Sequence, residues 1–365
     1  MLIAIIVIVG LSLLVLGHEA GHFFAAKIFG LQVDEFGFGF PPRIAAKKIG
    51  DTEYSINWLP FGGFVRIAGE RGEFEMLEGG GDPGNPALRN PALPKPITPA
   101  TPADPRRQFY TQPAWKKSAI ILAGVFTNFI LGWLFISIVL MVGVPQSLII
   151  AGTQQGSPAA AAGFQAGDIV KGYTNMQSFI DYINAHKGTP VTVVVLRNNK
   201  ELDFTVTPRT NVGPDQGAIG VALEEGGAPR EGVFAAFRDG IVAAWDISIM
   251  TIQAFWTLIQ QVFTHASIPA GIVGPVGIFS VAEETGSIGL AYLLQFIGVI
   301  SLNLMVVNLI PFPALDGGRF VVILIEKIKR SPLPYKVEAW VNGIGFALLL
   351  ALMIALTIRD VSGLL

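Results

Sequence analysis

The sequence predicts a polytopic α-helical membrane protein of about four transmembrane helices, with a membrane-associated β-hairpin region and one inserted α/β domain. Of its 365 residues, 51% are apolar and only 14% are charged, and its mean hydropathy is positive. This composition is typical of an integral membrane protein that carries some mass outside the bilayer. The net charge of −2 shows no bias toward nucleic acid, so we expect no nucleic-acid partner.

Four segments are long enough to cross a bilayer, which takes about 20 apolar residues. A cleaved signal peptide is the alternative interpretation of the first. That segment has no basic start and no small-residue cleavage site, so we interpret it as a retained span. The four predicted membrane segments are 1–30, 118–144, 286–330 and 336–360.

Basic residues predict the orientation of these spans, because Lys and Arg concentrate in short cytoplasmic loops. They cluster after the first span and again after the third, and none occurs in residues 118–170 or 239–308. We therefore expect the first loop and the connection between the third and fourth spans in the cytoplasm. The long central region and both termini are expected outside, and membrane lipids are expected around the spans.

Two stretches of different character follow the first span. Residues 31–78 contain short runs of alternating glycine and aromatic residues, which predict a β region at the membrane surface. Non-helical backbone at membrane depth is tolerated only where protein or a water-filled cavity covers it. Residues 79–117 are rich in Pro and Gly and poor in large apolar groups, so we predict a flexible cytoplasmic segment.

The inserted domain begins with Gly156-Ser-Pro-Ala-Ala160 and continues with Ala162-Gly-Phe-Gln-Ala-Gly-Asp-Ile-Val170. A helix and two strands are predicted after these motifs. This order is similar to that of a bacterial PDZ domain, and it covers residues 146–210. Some other small α/β module is the alternative.

The stretch 211–285 is predicted to be an extracytoplasmic linker that contains one long helix. Residues 233–265 have a helical pattern and are strongly apolar. We expect this helix to be amphipathic and to lie on or against the outer side of the membrane domain. A fifth span at 247–264 is the alternative.

The motif His18-Glu-Ala-Gly-His22 lies near the end of the first span. Ionisable side chains inside a membrane are unfavourable unless they have a function. Histidines four residues apart share one face of a helix, so both can bind one metal ion while Glu19 acts as general base. Because the chain has no cysteine, the remaining ligands must also be His, Asp or Glu.

A third ligand is predicted at Asp316, just after the third apolar run. Pro311 and Pro313 interrupt helical hydrogen bonding before it, and Gly317-Gly318 permit close backbone approach after it. The first and third spans both run from outside to inside, so the two histidines and Asp316 are expected at a similar depth. The alternative role of Asp316 is to cap the helix that follows.

Together these motifs resemble the bacterial site-2 protease family, whose members are intramembrane zinc metalloproteases. The resemblance rests on the HExxH motif in the first span, the PDZ-like domain and the block that runs from Asn308 to Gly318. It also includes Ala123-Gly-Val-Phe-Thr-Asn128, where Val125 stands in place of the proline that the family usually has.

The resemblance implies Zn²⁺ as cofactor, His18, His22 and Asp316 as its ligands, and Glu19 as the base. Asn308 would bind substrate or stabilise the oxyanion. The protein would lie in the bacterial inner (plasma) membrane, with the active site toward the cytoplasm and the PDZ-like domain outside.

The most similar group of the family cleaves membrane-bound anti-sigma factors after a first cut by another protease. We therefore expect single-pass transmembrane proteins as substrates. A helix hides its peptide bonds, so the substrate must unwind locally. We predict that the unwound segment pairs with a strand of the β region, with Phe61, Gly62 and Gly63 at the contact.

The PDZ-like domain has two alternative roles. The resemblance implies a filter that admits only substrates whose outer part has been trimmed, and the other role is capture of a peptide C-terminus. Two other functions compete with proteolysis. One is a catalytically silent scaffold that displays the PDZ-like domain, and the other is a metal transporter, although no internal repeat supports transport.

Overall fold

The computed structural model describes two compact units. The first unit comprises the chain up to Trp133, Ala243–Phe279 and the chain from Ile297, and the second comprises Leu134–Val242 and Ser280–Phe296. Residues 79–103 of the predicted flexible segment lie outside the described part of the chain. The described residues are 2–70, 104–197, 200–211, 213, 217–265 and 274–364.

The described residues form nine α-helices, of which several are long and apolar. The helices are α1 (Leu2–Ile28), α2 (Ala114–Val142), α3 (Pro158–Ala162), α4 (Met176–Ala185), α5 (Val233–His265), α6 (Pro275–Ile288), α7 (Leu290–Leu309), α8 (Asp316–Lys329) and α9 (Tyr335–Leu364). Segments of five helices (α1, α2, α5, α7 and α9) are long and apolar enough to cross a membrane. The chain is therefore a multi-pass membrane protein.

Helix α5 contains residues 247–264, for which the sequence left two alternatives, a helix on the outer side of the membrane domain or a fifth span. Its part Val233–Gln261 meets the same criterion of length and hydropathy as the other four candidate spans. Within the first unit, the Thr251 hydroxyl donates a hydrogen bond of 2.7 Å to Oδ1 of Asn303, in the middle of α7. This contact packs α5 against a predicted span, which favours the alternative in which α5 enters the membrane.

The β region is one antiparallel sheet made of two strands, β1 (Val33–Ile49) and β2 (Thr52–Ile67). The strands are longer than the short runs predicted from the sequence, and both are bent. As a result, Phe36 in the first half of β1 lies opposite both Tyr54 and Val65 of β2. Among the described residues, the second half of β2 pairs on one side only. It therefore forms an edge of the sheet.

An apolar cluster fixes this sheet to the helices of the first unit. Phe23 of α1 contacts the rings of Phe36 and Tyr54, with centroid distances of 5.1 and 6.1 Å. Burial of such side chains is the main favourable contribution to folding, so the cluster holds the sheet against the second half of α1. Its buried members are Phe23, Ala26, Leu31, Val33, Ile67, Phe109, Ile120, Ile121 and Ile323.

The second unit contains a five-stranded sheet, against which Phe179 and Ile183 of α4 pack. The strands are β3 (Val144–Thr153), β4 (Ile169–Val170), β5 (Val191–Arg197), β6 (Lys200–Val206) and β7 (Val221–Ala228). Their order in the sheet is β6-β5-β4-β3-β7. The sheet extends beyond the predicted range 146–210 because β7 pairs with β3. The sequence of β7 contains two glutamates and two glycines, which weaken its strand pattern.

Candidate metal centre and active site

The two histidines of the HExxH motif lie on one buried face of α1. His18 and His22 are each 8% exposed, and their Nε2 atoms are 3.2 Å apart. Residues four apart on a helix are neighbours on its surface, which accounts for this convergence. Both Nε2 atoms lie near the start of α8.

Asp316 is the first residue of α8, and its carboxylate completes the group. Its Oδ2 atom lies 3.0 Å from Nε2 of His18 and 3.3 Å from Nε2 of His22. The residue that caps α8 is Leu315, and no side-chain hydrogen bond caps this helix. The structure therefore gives Asp316 no capping role, and its carboxylate faces the histidines instead.

The loop before α8 is tightly folded, and glycine is required where it doubles back. A Cβ atom at Gly317 would lie 2.2 Å from the carbonyl oxygen of Ile310, and one at Gly318 would lie 2.2 Å from that of Phe312. Ala314 adopts φ = 70°, a left-handed conformation that is unfavourable for residues with a side chain. This loop directs Asp316 toward α1.

Helix α9 supports the same loop from the other side. The Ala314 N–H donates to Oδ1 of Asn342 at 3.3 Å. A Cβ atom at Gly345 would lie 2.5 Å from Cβ of Pro313, so α9 and the loop are in direct contact there. The unfavourable conformation of Ala314 is thus held by a helix distant in sequence.

Helix α2 forms the wall behind the histidines. A Cβ atom at Gly124 would lie 2.4 Å from Nε2 of His22 and 2.9 Å from Cε1 of His18. A Cβ atom at Gly21 of α1 would lie 2.6 Å from the carbonyl oxygen of Ala123. Glycine at these two positions lets the helices approach closely enough for α2 to line the site.

The tautomer of a neutral His22 ring is fixed by the contact of its second ring nitrogen. Nδ1 lies 2.8 Å from the carbonyl oxygen of Ile120, which can only accept a hydrogen bond. Nδ1 of the neutral ring must therefore carry the proton, and Nε2 presents a lone pair to Asp316. A carboxylate oxygen and an imidazole lone pair repel each other unless a cation lies between them.

The donor set therefore fits a divalent metal ion. His18, His22 and Asp316 each offer one ligand atom, and these atoms converge in a buried position. Oδ2 of Asp316 is buried and has no hydrogen-bond partner among the described residues. Two imidazoles and one carboxylate are a common ligand set for catalytic zinc, which keeps a further position for water or substrate.

Glu19 and the β region meet beside this group. Glu19 is half-buried, and a Cβ atom at Gly63 of β2 would lie 3.4 Å from Cγ of Glu19. The edge segment of the sheet thus passes the residue predicted to act as base. Gly62 is half-buried and has φ = 97°, which favours glycine, and Phe61 belongs to the same strand.

Asn308, the other residue predicted to bind substrate, is half-buried in the last turn of α7. Two residues that line the centre, Gly124 and Asn128, were not predicted as functional from the sequence. Their spacing of four residues on a charge-free span places them on one face of α2, which is the signal that could have indicated them.

Comparison with known proteins identifies the family. The family model for peptidase family M50 matches residues 6–352. The regulator of sigma-W protease RasP from Bacillus subtilis is 31% identical, over 98% of this chain and 97% of its own. Zinc metalloprotease RasP from Geobacillus kaustophilus is also 31% identical, over 99% of this chain and 97% of its own. The chain therefore belongs to peptidase family M50, the metalloproteases of the site-2 type that its motifs resemble.

Proposed function

We propose that this metalloprotease is an intramembrane zinc endopeptidase that cleaves the transmembrane segments of single-pass membrane proteins. Zinc is its cofactor, as in its relatives. The observation that supports the proposal is the convergence of Nε2 of His18, Nε2 of His22 and Oδ2 of Asp316 at separations of 3.0, 3.2 and 3.3 Å. Both histidines belong to a candidate membrane span.

In this proposal His18, His22 and Asp316 hold the zinc. Bound zinc would polarise the scissile carbonyl and lower the pKa of a bound water to about 7. Glu19 takes the proton of the attacking water and returns it to the leaving amine nitrogen as the C–N bond breaks. Asn308, whose amide can donate hydrogen bonds, is proposed to bind the substrate or its developing oxyanion.

The substrate must present an extended segment to Glu19. A helical substrate keeps each carbonyl hydrogen-bonded and surrounded by side chains. The edge of β2 at Gly62 and Gly63 offers backbone groups with which an unwound segment can pair as an added strand. The position of Gly63 beside Glu19 supports this arrangement.

Substituting Gly63 with Pro is expected to reduce cleavage at least about tenfold with zinc content unchanged. Proline removes the backbone N–H of residue 63 in the edge strand, and the loss of one hydrogen bond costs about 0.5–1.5 kcal/mol. The proline ring also displaces the substrate strand, so the two effects add. Gly63→Ala is the matched control, because it adds the same Cβ atom but keeps the N–H. If both variants cleave like the parent, strand addition at this edge is wrong.

Anti-sigma factors are the proposed substrate class. One relative is named as a regulator of sigma-W protease, and it aligns with nearly the whole chain. We propose that the enzyme acts after a first cut, in the bacterial inner (plasma) membrane. The active site would then open toward the cytoplasm, with the second unit outside.

For the second unit we propose a PDZ-like role, as a size filter or as a receptor for a C-terminus. A groove of about 320 Å³ lies between α4 and the segment 217–223, and Ile180 and Ile183 are among its lining residues. An apolar groove beside a strand and a helix suits an extended peptide end, and it supports capture.

Substituting Ile180 with Arg separates these two roles. If the groove captures a peptide end, the buried charge is expected to reduce cleavage of a trimmed substrate several-fold. If the unit only filters by size, cleavage of trimmed and untrimmed substrates stays as in the parent. Gln177→Arg is the matched control, because Gln177 is exposed on the same helix and does not line the groove.

Removal of metal tests the proposed function directly. Treatment of the reconstituted enzyme with 1,10-phenanthroline is expected to abolish cleavage of a single-span substrate, and stoichiometric zinc is expected to restore it. The non-chelating isomer 1,7-phenanthroline serves as control. Full cleavage by protein that elemental analysis shows to be free of metal would refute the proposal.

A further inference from the structure

The side chain of Asn128 has no role in the mechanism proposed above, yet it lies beside His18. Asn128 belongs to α2, one helical turn after Gly124, and only 1% of it is exposed. Its Nδ2 atom is 3.2 Å from Nδ1 of His18. Its Oδ1 atom is buried and has no hydrogen-bond partner among the described residues. A buried amide oxygen without a partner is unfavourable and calls for an explanation.

The requirements of metal binding supply that explanation. To bind a metal through Nε2, His18 must carry its proton on Nδ1, and that proton needs an acceptor. His22 meets the same requirement through the carbonyl oxygen of Ile120. An amide nitrogen cannot accept a hydrogen bond, so Nδ2 of Asn128 is the wrong end of the amide to face Nδ1 of a metal-bound His18.

Rotation of the Asn128 amide by about 180° resolves both difficulties. It places Oδ1 opposite the Nδ1–H of His18, which satisfies the buried oxygen and leaves the Nε2 lone pair facing Asp316. The oxygen and nitrogen ends of an amide have nearly the same shape, so the rotation changes the packing little.

We infer that Asn128 is a positioning residue, whose amide oxygen accepts the Nδ1–H of His18 and orients that ring for zinc. The inference rests on the proposed function. A hydrogen bond from the second ring nitrogen of a ligand histidine fixes its tautomer and orientation, and its loss typically weakens metal binding about 10- to 100-fold.

The backbone of the same residue connects to the helix that leads to the third ligand. The Ser301 hydroxyl of α7 donates a hydrogen bond of 2.8 Å to the carbonyl oxygen of Asn128, and Ser301 is fully buried. Asn128 thus contacts His18 through its side chain and α7 through its backbone. Both contacts lie within the first unit.

The experiment compares two substitutions in the full-length protein. Asn128→Leu has similar size but no acceptor, whereas Asn128→Asp keeps an acceptor and removes the NH₂ group. We expect Asn128→Leu to raise the zinc Kd about 10- to 100-fold, measured by competition with a chelator of known affinity, and Asn128→Asp to stay within about threefold of the parent. Asn303→Leu, which removes a hydrogen-bonded amide on α7, is the control and should change the Kd less than about threefold.

Nitrogen-15 NMR of the zinc-loaded parent gives a second readout that needs no Asn128 variant to fold. The chain has four histidines, so a His186→Ala/His265→Ala protein leaves only the signals of His18 and His22, and Nδ1 of His22 is already expected to be protonated. We expect the Nδ1 of His18 to be protonated. The inference would be overturned if Nδ1 of His18 is unprotonated or if Asn128→Leu keeps the zinc Kd of the parent. It would also be overturned if Asn128→Asp binds zinc as weakly as Asn128→Leu.

Zinc binding by the His18→Ala protein distinguishes a wrong ligand set from a wrong role for Asn128. If it binds zinc as tightly as the parent, the proposed ligand set is wrong. If it loses zinc while Asn128→Leu keeps the parent Kd, the ligand set stands and only the role of Asn128 fails.

Discussion

Replacement of Glu19 by Gln is expected to reduce cleavage roughly 100- to 10,000-fold, the range typical for loss of a general base. Gln has almost the same shape as Glu but cannot take a proton from water. The ligand atoms of His18, His22 and Asp316 remain, so zinc content is expected to equal that of the parent. The measurement pairs a reconstituted cleavage assay with elemental analysis of the same sample.

Glu201→Gln is the matched control for this substitution. Glu201 forms an exposed ion pair with Lys171 on the second unit, so its loss is expected to leave cleavage unchanged. A Glu19→Gln protein that behaves like its parent would favour the catalytically silent scaffold. Loss of both cleavage and zinc would instead indicate that Glu19 has a structural role.

Substitution of Gly124 by Ala is expected to abolish zinc binding and cleavage together. The added methyl group would lie 2.4 Å from Nε2 of His22, a separation that non-bonded atoms cannot keep. The ring must therefore turn away from Asp316 or α2 must move away from α1. Alanine has a higher helix propensity than glycine by about 1 kcal/mol, so weaker folding of α2 itself would not explain the loss.

Gly10→Ala on α1 is the control. Its new methyl group would lie 2.7 Å from Cδ1 of Ile297, the flexible end of a side chain away from the ligands. We expect this variant to keep its zinc and most of its activity, at a modest loss of thermal stability. Equal zinc affinity in Gly124→Ala and the parent would show that α2 does not limit the space around His22.

The convergence of His18, His22 and Asp316 was predictable because each part has a local signal. The spacing of His18 and His22 follows from the period of a helix, and the prolines and glycines around Asp316 indicate a broken helix. Both signals can be read within about a dozen residues. The structure brings the three side chains together as these signals suggest.

The wall of the site was not predictable in the same way. The importance of Gly124 and Asn128 depends on how closely α2 crosses α1, which no local pattern reports. The same holds for the bent strands β1 and β2, whose double pairing depends on long-range packing. Strand β7 was missed because its edge position allows glutamate and glycine, which give little strand pattern.

The residues proposed to hold the zinc come from α1 and α8, and this separation in sequence affects when the enzyme can first act. When only α1 has been synthesised, Glu19 and the two histidines are present but Asp316 is not. Asp316 is made only after the second unit and α7. The protein is therefore expected to be inactive until most of it has been synthesised. Neighbouring nascent membrane proteins would then not be cleaved by an incomplete enzyme.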